Sequence, residues 1–248
     1  MKKPIIHAYT IAFNEEVLMP HFLKHYTSFC ESVFVYDNFS TDKTIDICSK
    51  YENVEVFNYG TNNQIRDDIY LKLKNEVWKK SKGKADFVIV CDVDEFVYHP
   101  SLISILQHAY SEQVSVIRCE GYNMFTKVLP LESNILFKDF QYGTREKNFD
   151  KALIFNPNLI DEINYDFGAH NCCPVGKVRY NNFSIALLHY KFITLGYLIN
   201  RYKLFESRLS SYNKKLKLGY HYSYSRFKIT REFNFIKNNS QNIIEKYK

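Results

Sequence analysis

The sequence predicts an α/β protein whose mostly parallel sheet is flanked by helices and followed by a C-terminal helical extension. Strand and helix patterns alternate over the first hundred residues, as in successive βαβ units. Polar clusters follow the first, second and fourth strand candidates, Asn14-Glu15, Asp37-Asn38 and Asp92-Val93-Asp94. The chain has 248 residues, enough to bury a large core, with 20 Tyr, 20 Phe, 8 Gly and 6 Pro, a balance that excludes disordered and collagen-like classes.

Residues 5–12 form the first strand candidate. Leu18, Phe22, His25/Tyr26 and Phe29 follow helical spacing, with Pro20 in the first turn. Residues 32–36 are a second strand, and the loop 37–42 ends in Thr41 or Asp42, either able to cap a helix over 44–50. Residues 53–58 are a third strand. Apolar residues at 65, 69, 73 and 77 predict one long helix over 64–80. Phe87-Val88-Ile89-Val90-Cys91 is a buried strand by its unbroken apolar run. Ser101 caps a helix to about 110, and residues 114–119, 152–155 and 185–192 are further strands. Residues 121–150 have no clean period and are expected to form loops over the site, and 196–212 is expected to be helical.

Charge is unevenly distributed. From residue 201 onward there are 12 Lys and Arg against 3 Asp and Glu, with ten Tyr and Phe, whereas residues 1–200 hold 21 against 24. Basic and aromatic residues together suit an anionic membrane surface or a phosphorylated lipid acceptor. The alternative is a solvated helical tail with aromatic anchors. No recognisable RNA-binding motif accompanies them, so no nucleic-acid partner is expected. No stretch reaches 18 apolar residues, the start lacks the features of a signal peptide, and the six cysteines form no Cys-x-x-Cys pair. A cytoplasmic protein, peripheral at the inner membrane face, is the expectation.

Parallel strands present their carboxyl ends at one edge, where open α/β sheets bind ligands. The three polar clusters should therefore converge on a nucleotide-sized crevice. Asp92 and Asp94 place two hard oxygen donors together, which suits Mg²⁺ or Mn²⁺ bridging a diphosphate.

The ordered set Ala12-x-Asn14-Glu15, Val35-Tyr36-Asp37-Asn38-x-Ser40-Thr41-Asp42 and Asp92-Val93-Asp94-Glu95-Phe96 resembles the GT-A glycosyltransferases, closest to the family-2-like branch with an Asp-x-Asp-Glu-Phe motif. The match covers residues 5–98 and continues faintly through Lys151–Phe155, Gly168-Ala169-His170 and His189-Tyr190-Lys191. The resemblance implies a Rossmann-like GT-A domain over 1–195, divided into a nucleotide-sugar-binding half (1–98) and an acceptor-side half (99–195), with 196–248 as the extension. It implies a hexosyltransferase that moves a sugar from a UDP-sugar to a glycan or lipid-linked acceptor, in bacterial lipopolysaccharide or capsule synthesis.

By the same resemblance, Asp37 would receive the base, residues around Ala12, Asn14 and Glu15 would line the nucleoside pocket, and Arg66 would lie near the donor. Asp92, with Val93, would face the ribose or metal. Asp94 would bind Mn²⁺ or Mg²⁺ directly, joined by His189 or, as the alternative, His170. The family's usual acid after the fifth strand is absent in clean form. Glu120, Asp150 and the pair Asp161-Glu162 are available as catalytic base, with Asp150 preferred because it precedes a strand. Arg145, Lys147 and Lys151 could contact phosphate or acceptor, but a solvated charge is the expected reading of each.

Competing readings are a nucleotidyltransferase and a non-catalytic carbohydrate- or nucleotide-binding protein on the same fold. The first should carry a Gly-rich basic loop where Ala12-Phe13-Asn14-Glu15 stands. The second should have lost the carboxylates that Asp92 and Asp94 supply. A dehalogenase-like phosphatase would place its Asp-x-Asp on the first strand and would not continue Glu95-Phe96.

Overall fold

The computed structural model describes residues 3–248. The first half alternates as expected: β1 (Ile6–Ala12), α1 (Met19–Tyr26), β2 (Ser32–Asp37), α2 (Thr44–Cys48), β3 (Val54–Asn58), α3 (Asp67–Glu76) and β4 (Phe87–Val90). There follow β5 (Glu95–Tyr98), α4 (Leu102–Ser111), β6 (Val116–Phe125), α5 (Leu136–Asp139), β7 (Tyr142–Arg145) and β8 (Lys151–Phe155). The chain ends with β9 (Ile160–Glu162), β10 (Val175–Gly176), β11 (Ala186–Phe192), α6 (Leu195–Arg208), α7 (Ser211–Lys215), α8 (Arg226–Asn239) and β12 (Gln241–Asn242).

The sheet runs β3-β2-β1-β4-β8-β6-β7-β12, with β11 beside β6 and β5 beside β11. The first four strands of that path are parallel, with Ala12 opposite Asp37 and Tyr9 opposite Val90. Beyond β4 the sheet turns mixed: β8 is antiparallel to β4 and β6, while β11 is parallel to β6. β4 is buried along its whole length, which explains its unbroken apolar sequence. Phe22 and Tyr26 of α1 pack with Phe96 beneath β5.

Three local expectations are corrected. The helix expected over 64–80 is α3 followed by a 3-10 turn at Val77–Ser81, and α3 has no fully buried residue. Its apolar residues lie four apart and drift around a 3.6-residue turn, so they do not make a straight buried stripe. The strand expected to end at 119 continues to Phe125, and β7 lies inside the segment expected to be loops. Gly121 sits within β6 because an added Cβ would meet the Phe149 backbone at 2.5 Å. Asp42, not Thr41, accepts the backbone N–H of Thr44 at 2.9 Å.

The last residues dock on β6. The Glu120 carboxylate accepts from Ser184 Oγ (2.6 Å), Tyr122 OH (2.8 Å), Tyr247 OH (3.0 Å) and Lys246 Nζ (3.1 Å). Burial alone would raise its pKa, but these donors overrule it and hold the carboxyl down at about 2. That stabilisation is present above the unfolded value near 4.3 and is lost as pH falls through about 2. Glu120→Gln should therefore cost about 1 kcal/mol at pH 7, discounted for a partly exposed group. In urea titrations the gap from the unaltered protein should close between about pH 4 and pH 2. A gap that stays constant over that range would refute the assignment.

Candidate active site

A cavity of about 490 Å³ opens where β1 and β4 end, a size suited to a small ligand. β1 delivers Ala12, Phe13 and Glu15 to it, and the turn after β4 delivers Asp92, Val93, Asp94 and Glu95. Asn14 makes the turn between them possible with a left-handed φ of 52°, a conformation Asn tolerates well. Its side chain bonds Thr41 rather than the cavity, at 2.8 Å from Thr41 N to Asn14 Oδ1.

The two aspartates sit in different company. Asp92 Oδ1 accepts from Lys74 Nζ at 2.7 Å, and Lys151 Nζ lies 3.9 Å from its other oxygen. Burial would raise the Asp92 pKa, but Lys74 and Lys151 reverse the shift and lower it. Asp94 Oδ2 lies 3.4 Å from His189 Nε2. Again burial opposes ionisation, and His189, Arg201 and Lys151 together drive the Asp94 pKa far below the usual carboxylate range. Strand register creates this pair. β11 runs antiparallel to β5 with His189 opposite Glu95, and Tyr190 N donates to the Asp94 carbonyl at 2.8 Å.

Glu95 points away from such a role. Its carboxylate receives Lys151 Nζ at 2.6 Å and the Asp92 backbone N–H at 3.0 Å, while Phe96 enters the core. Glu95-Phe96 thus braces the acidic turn. Lys151, expected to be solvated, is only 2 % exposed, because Glu95 compensates its charge.

Among the described residues, no three His, Cys, Asp or Glu side chains converge into a complete metal cage. Asp94 and His189 nevertheless fit two positions of a divalent ion that takes its other oxygens from a ligand and water. His189 Nδ1 faces Asn123 Oδ1 at 3.2 Å. Nδ1–H donation there would leave Nε2 to bind a metal ion shared with Asp94, in place of the proton through which His189 pairs with that carboxylate here, as second-shell partners do for metal-binding histidines. Phe149 packs against both histidines, at 4.6 Å from His189 and 5.0 Å from His170. His170 lines the cavity with its Nδ1 buried.

Helix α6 supplies residues that sequence reading assigned to the tail. Arg201 binds Glu15 in a two-pronged pair, at 2.5 and 2.8 Å. Burial would lower the Arg201 pKa, but the Glu15 carboxylate raises it, keeping the guanidinium charged. Arg208, 4 % exposed, donates to Asn38 Oδ1 at 2.6 Å and stacks on Phe13 with its guanidinium carbon 3.1 Å from the ring centre. Their seven-residue spacing puts both on one helix face, a signal that reads equally well as a solvated charged stripe. Lys74 and Lys191 also line the cavity and gave no signal of their own.

Other expected site residues lie outside the lining. Asp37 is 1 % exposed, and both its oxygens accept from Ser40, at 2.8 Å from N and 2.5 Å from Oγ. Arg66 is paired with Asp68 at 2.6 Å. Asp150 is held by Arg145 and by the Gly121 N–H, the latter at 2.8 Å. Glu120 is occupied as described above, and Asp161 and Glu162 face Lys82 and Lys79.

Fold and site together define an α/β protein with a charged, nucleotide-sized crevice at the carboxyl edge of its parallel strands. No family model and no curated protein matches the sequence. Among solved structures the chain is similar to residues 1–349 of S. aureus TarS, with 15% identity, 81% of this chain and 63% of that chain covered, and a TM-score of 0.45. A second S. aureus TarS structure gives 16% identity, 90% and 44% coverage and a TM-score of 0.48. Glucosyl-3-phosphoglycerate synthase from Mycobacterium tuberculosis, in complex with Mn²⁺, UDP and glucosyl-3-phosphoglycerate, gives 15% identity, 48% and 44% coverage and a TM-score of 0.34. The chain thus spans less than two thirds of each of these structures, and the chemistry of the site stands on its own residues.

Proposed function

We propose that the protein is a metal-dependent glycosyltransferase that moves a sugar from a nucleotide sugar, UDP-linked, to a glycan or lipid-linked acceptor. The observation that carries this reading is the Asp94–His189 pair facing a nucleotide-sized cavity whose lining also holds Lys74, Lys151, Lys191 and Arg201. A diphosphate carries its charge where such cations can meet it, and glycosyl transfer builds negative charge on that leaving group. Asp94 and His189 would hold Mn²⁺ or Mg²⁺, which when bound supplies further neutralisation of the diphosphate.

The lining residues divide the remaining work. Among the described residues Lys191 forms no ion pair, and burial lowers its pKa against the more distant Asp94 and Glu232, so a bound phosphate would supply a close counter-charge. Phe13, Tyr59, Tyr70 and Phe205 provide aromatic surface for a nucleoside or sugar ring. Lys74 and Lys151 keep Asp92 ionised, and Glu95 fixes its backbone. Residues 1–98 are read as the donor half, 99–195 as the acceptor side, and 196–248 as the segment that closes the donor half. Asp150, held by Arg145 outside the lining, is given no role as proton acceptor.

Isothermal titration calorimetry tests the reading. UDP should bind with a dissociation constant at least about tenfold lower in Mn²⁺ than in EDTA, a difference of about 1.4 kcal/mol. A screen of UDP-sugars should then show slow Mn²⁺-dependent hydrolysis of the cognate donor. If UDP binds neither with nor without metal, the reading fails.

A further inference from the structure

We propose that the outward face of α8 and the adjoining cavity rim dock on an anionic lipid surface. Ile229, Phe233 and Ile236 turn one face of α8 into the protein, against Phe125, Phe192 and Leu198. At 100° per residue, Phe227, Arg231 and Phe235 project from the opposite face. Phe227 is 77% exposed and Phe235 60% exposed, although a helix that has already buried one apolar face gains nothing in water from a second.

Two further observations identify the occupant. α8 itself carries the exposed cations Arg226, Lys228, Arg231 and Lys237 against the single acid Glu232, so its exposed rings share the helix with a net positive charge. That combination inserts rings at the headgroup boundary while its cations meet anionic headgroups. The patch is also continuous with the cavity. Tyr220 lines the cavity and is itself 62% exposed, which puts it at the rim. Its ring meets Tyr224 at 5.8 Å, and Lys228 of α8 lies 3.4 Å from the Tyr224 ring centre. A surface docked there would present a lipid-linked acceptor beside the cavity, which names a source of acceptor for the function proposed above. The docking itself is measured without donor or metal, so its failure would leave the sugar-transfer reading standing.

The test is co-sedimentation of the full chain with phosphatidylcholine vesicles containing either no anionic lipid or about 30 mol% phosphatidylglycerol. The protein should pellet with the anionic vesicles only and be released by about 0.5 M NaCl. Phe227→Ser/Phe235→Ser should weaken binding by at least about tenfold. Its melting temperature and its UDP binding should not change, because both rings lie outside the core and the cavity. Lys228→Glu/Arg231→Glu should weaken binding similarly by the charge route. No binding of the unaltered protein to anionic vesicles at physiological salt would overturn the proposal. So would full binding by the Phe variant, or a Phe-dependent dimer in vesicle-free sedimentation velocity, which would assign the patch to a second copy of the chain.

Discussion

Asp94→Asn is expected to lower the rate of sugar transfer by about a thousandfold and to abolish the Mn²⁺ dependence of UDP binding. The substitution keeps the shape of the side chain and removes the charge that faces His189 at 3.4 Å. A neutral amide is a poor partner for a hard divalent ion and no longer offsets the surrounding cations. The fold should survive, because the Asp94 backbone carbonyl that receives Tyr190 N is untouched. Calorimetry with UDP in Mn²⁺ and in EDTA separates the two effects. UDP should still bind weakly in both buffers, now with equal affinity, since Lys74, Lys151, Lys191 and Arg201 remain. Undiminished Mn²⁺ enhancement in the variant would sink the assignment of Asp94 as a metal ligand.

Arg201→Met should produce the largest loss of stability, about 3–5 kcal/mol, by leaving the Glu15 carboxylate buried and unpaired. The side chains are only 15% and 7% exposed, so water cannot replace the lost partner. For a chain of this size the loss corresponds to a melting temperature lower by about 10 °C. The double variant Glu15→Gln/Arg201→Met should recover much of this loss, because no charge is then stranded. Donor binding should not recover with it, since the guanidinium lining the cavity is still missing. The thermodynamic cycle across the four proteins reads out the coupling directly. Additive losses would show that the pair does not hold α6 over the cavity. Recovery of UDP affinity in the double variant would show that Arg201 acts only through Glu15.

Much of the site's frame was legible in the sequence because it depends on local periodicity. The apolar run at 87–91 admits only a buried strand, and the alternation before it admits a parallel sheet. Carboxylates at its end must then share an edge with residues 12–15. The Asp-x-Asp-Glu-Phe run was legible as a unit but not in its division of labour. Asp94 faces His189, Asp92 faces two lysines, and Glu95 turns back to brace the loop. The turn at Val93-Asp94 and the positions of Lys74, Lys151 and His189 decide that division, and those three partners come from distant segments.

The sequence by itself determined the α/β class, the carboxyl-edge location of the crevice and the acidic pair at its edge, while the candidacy of His189 beside Asp94 came only from the resemblance to GT-A glycosyltransferases. Local chemistry sufficed for the first three, because strand period, turn residues and acidic spacing each act over a few residues. Only the tertiary structure decided that β5 and β11 pair antiparallel, which brings residues 94 and 189 within 3.4 Å. It also decided that the basic C-terminal segment contributes Arg201 and Arg208 to the cavity instead of trailing in solvent. A charge spaced along a helix looks the same whether it meets water or a buried carboxylate. The difference lies in Glu15, 186 residues away, and no local pattern carries that distance.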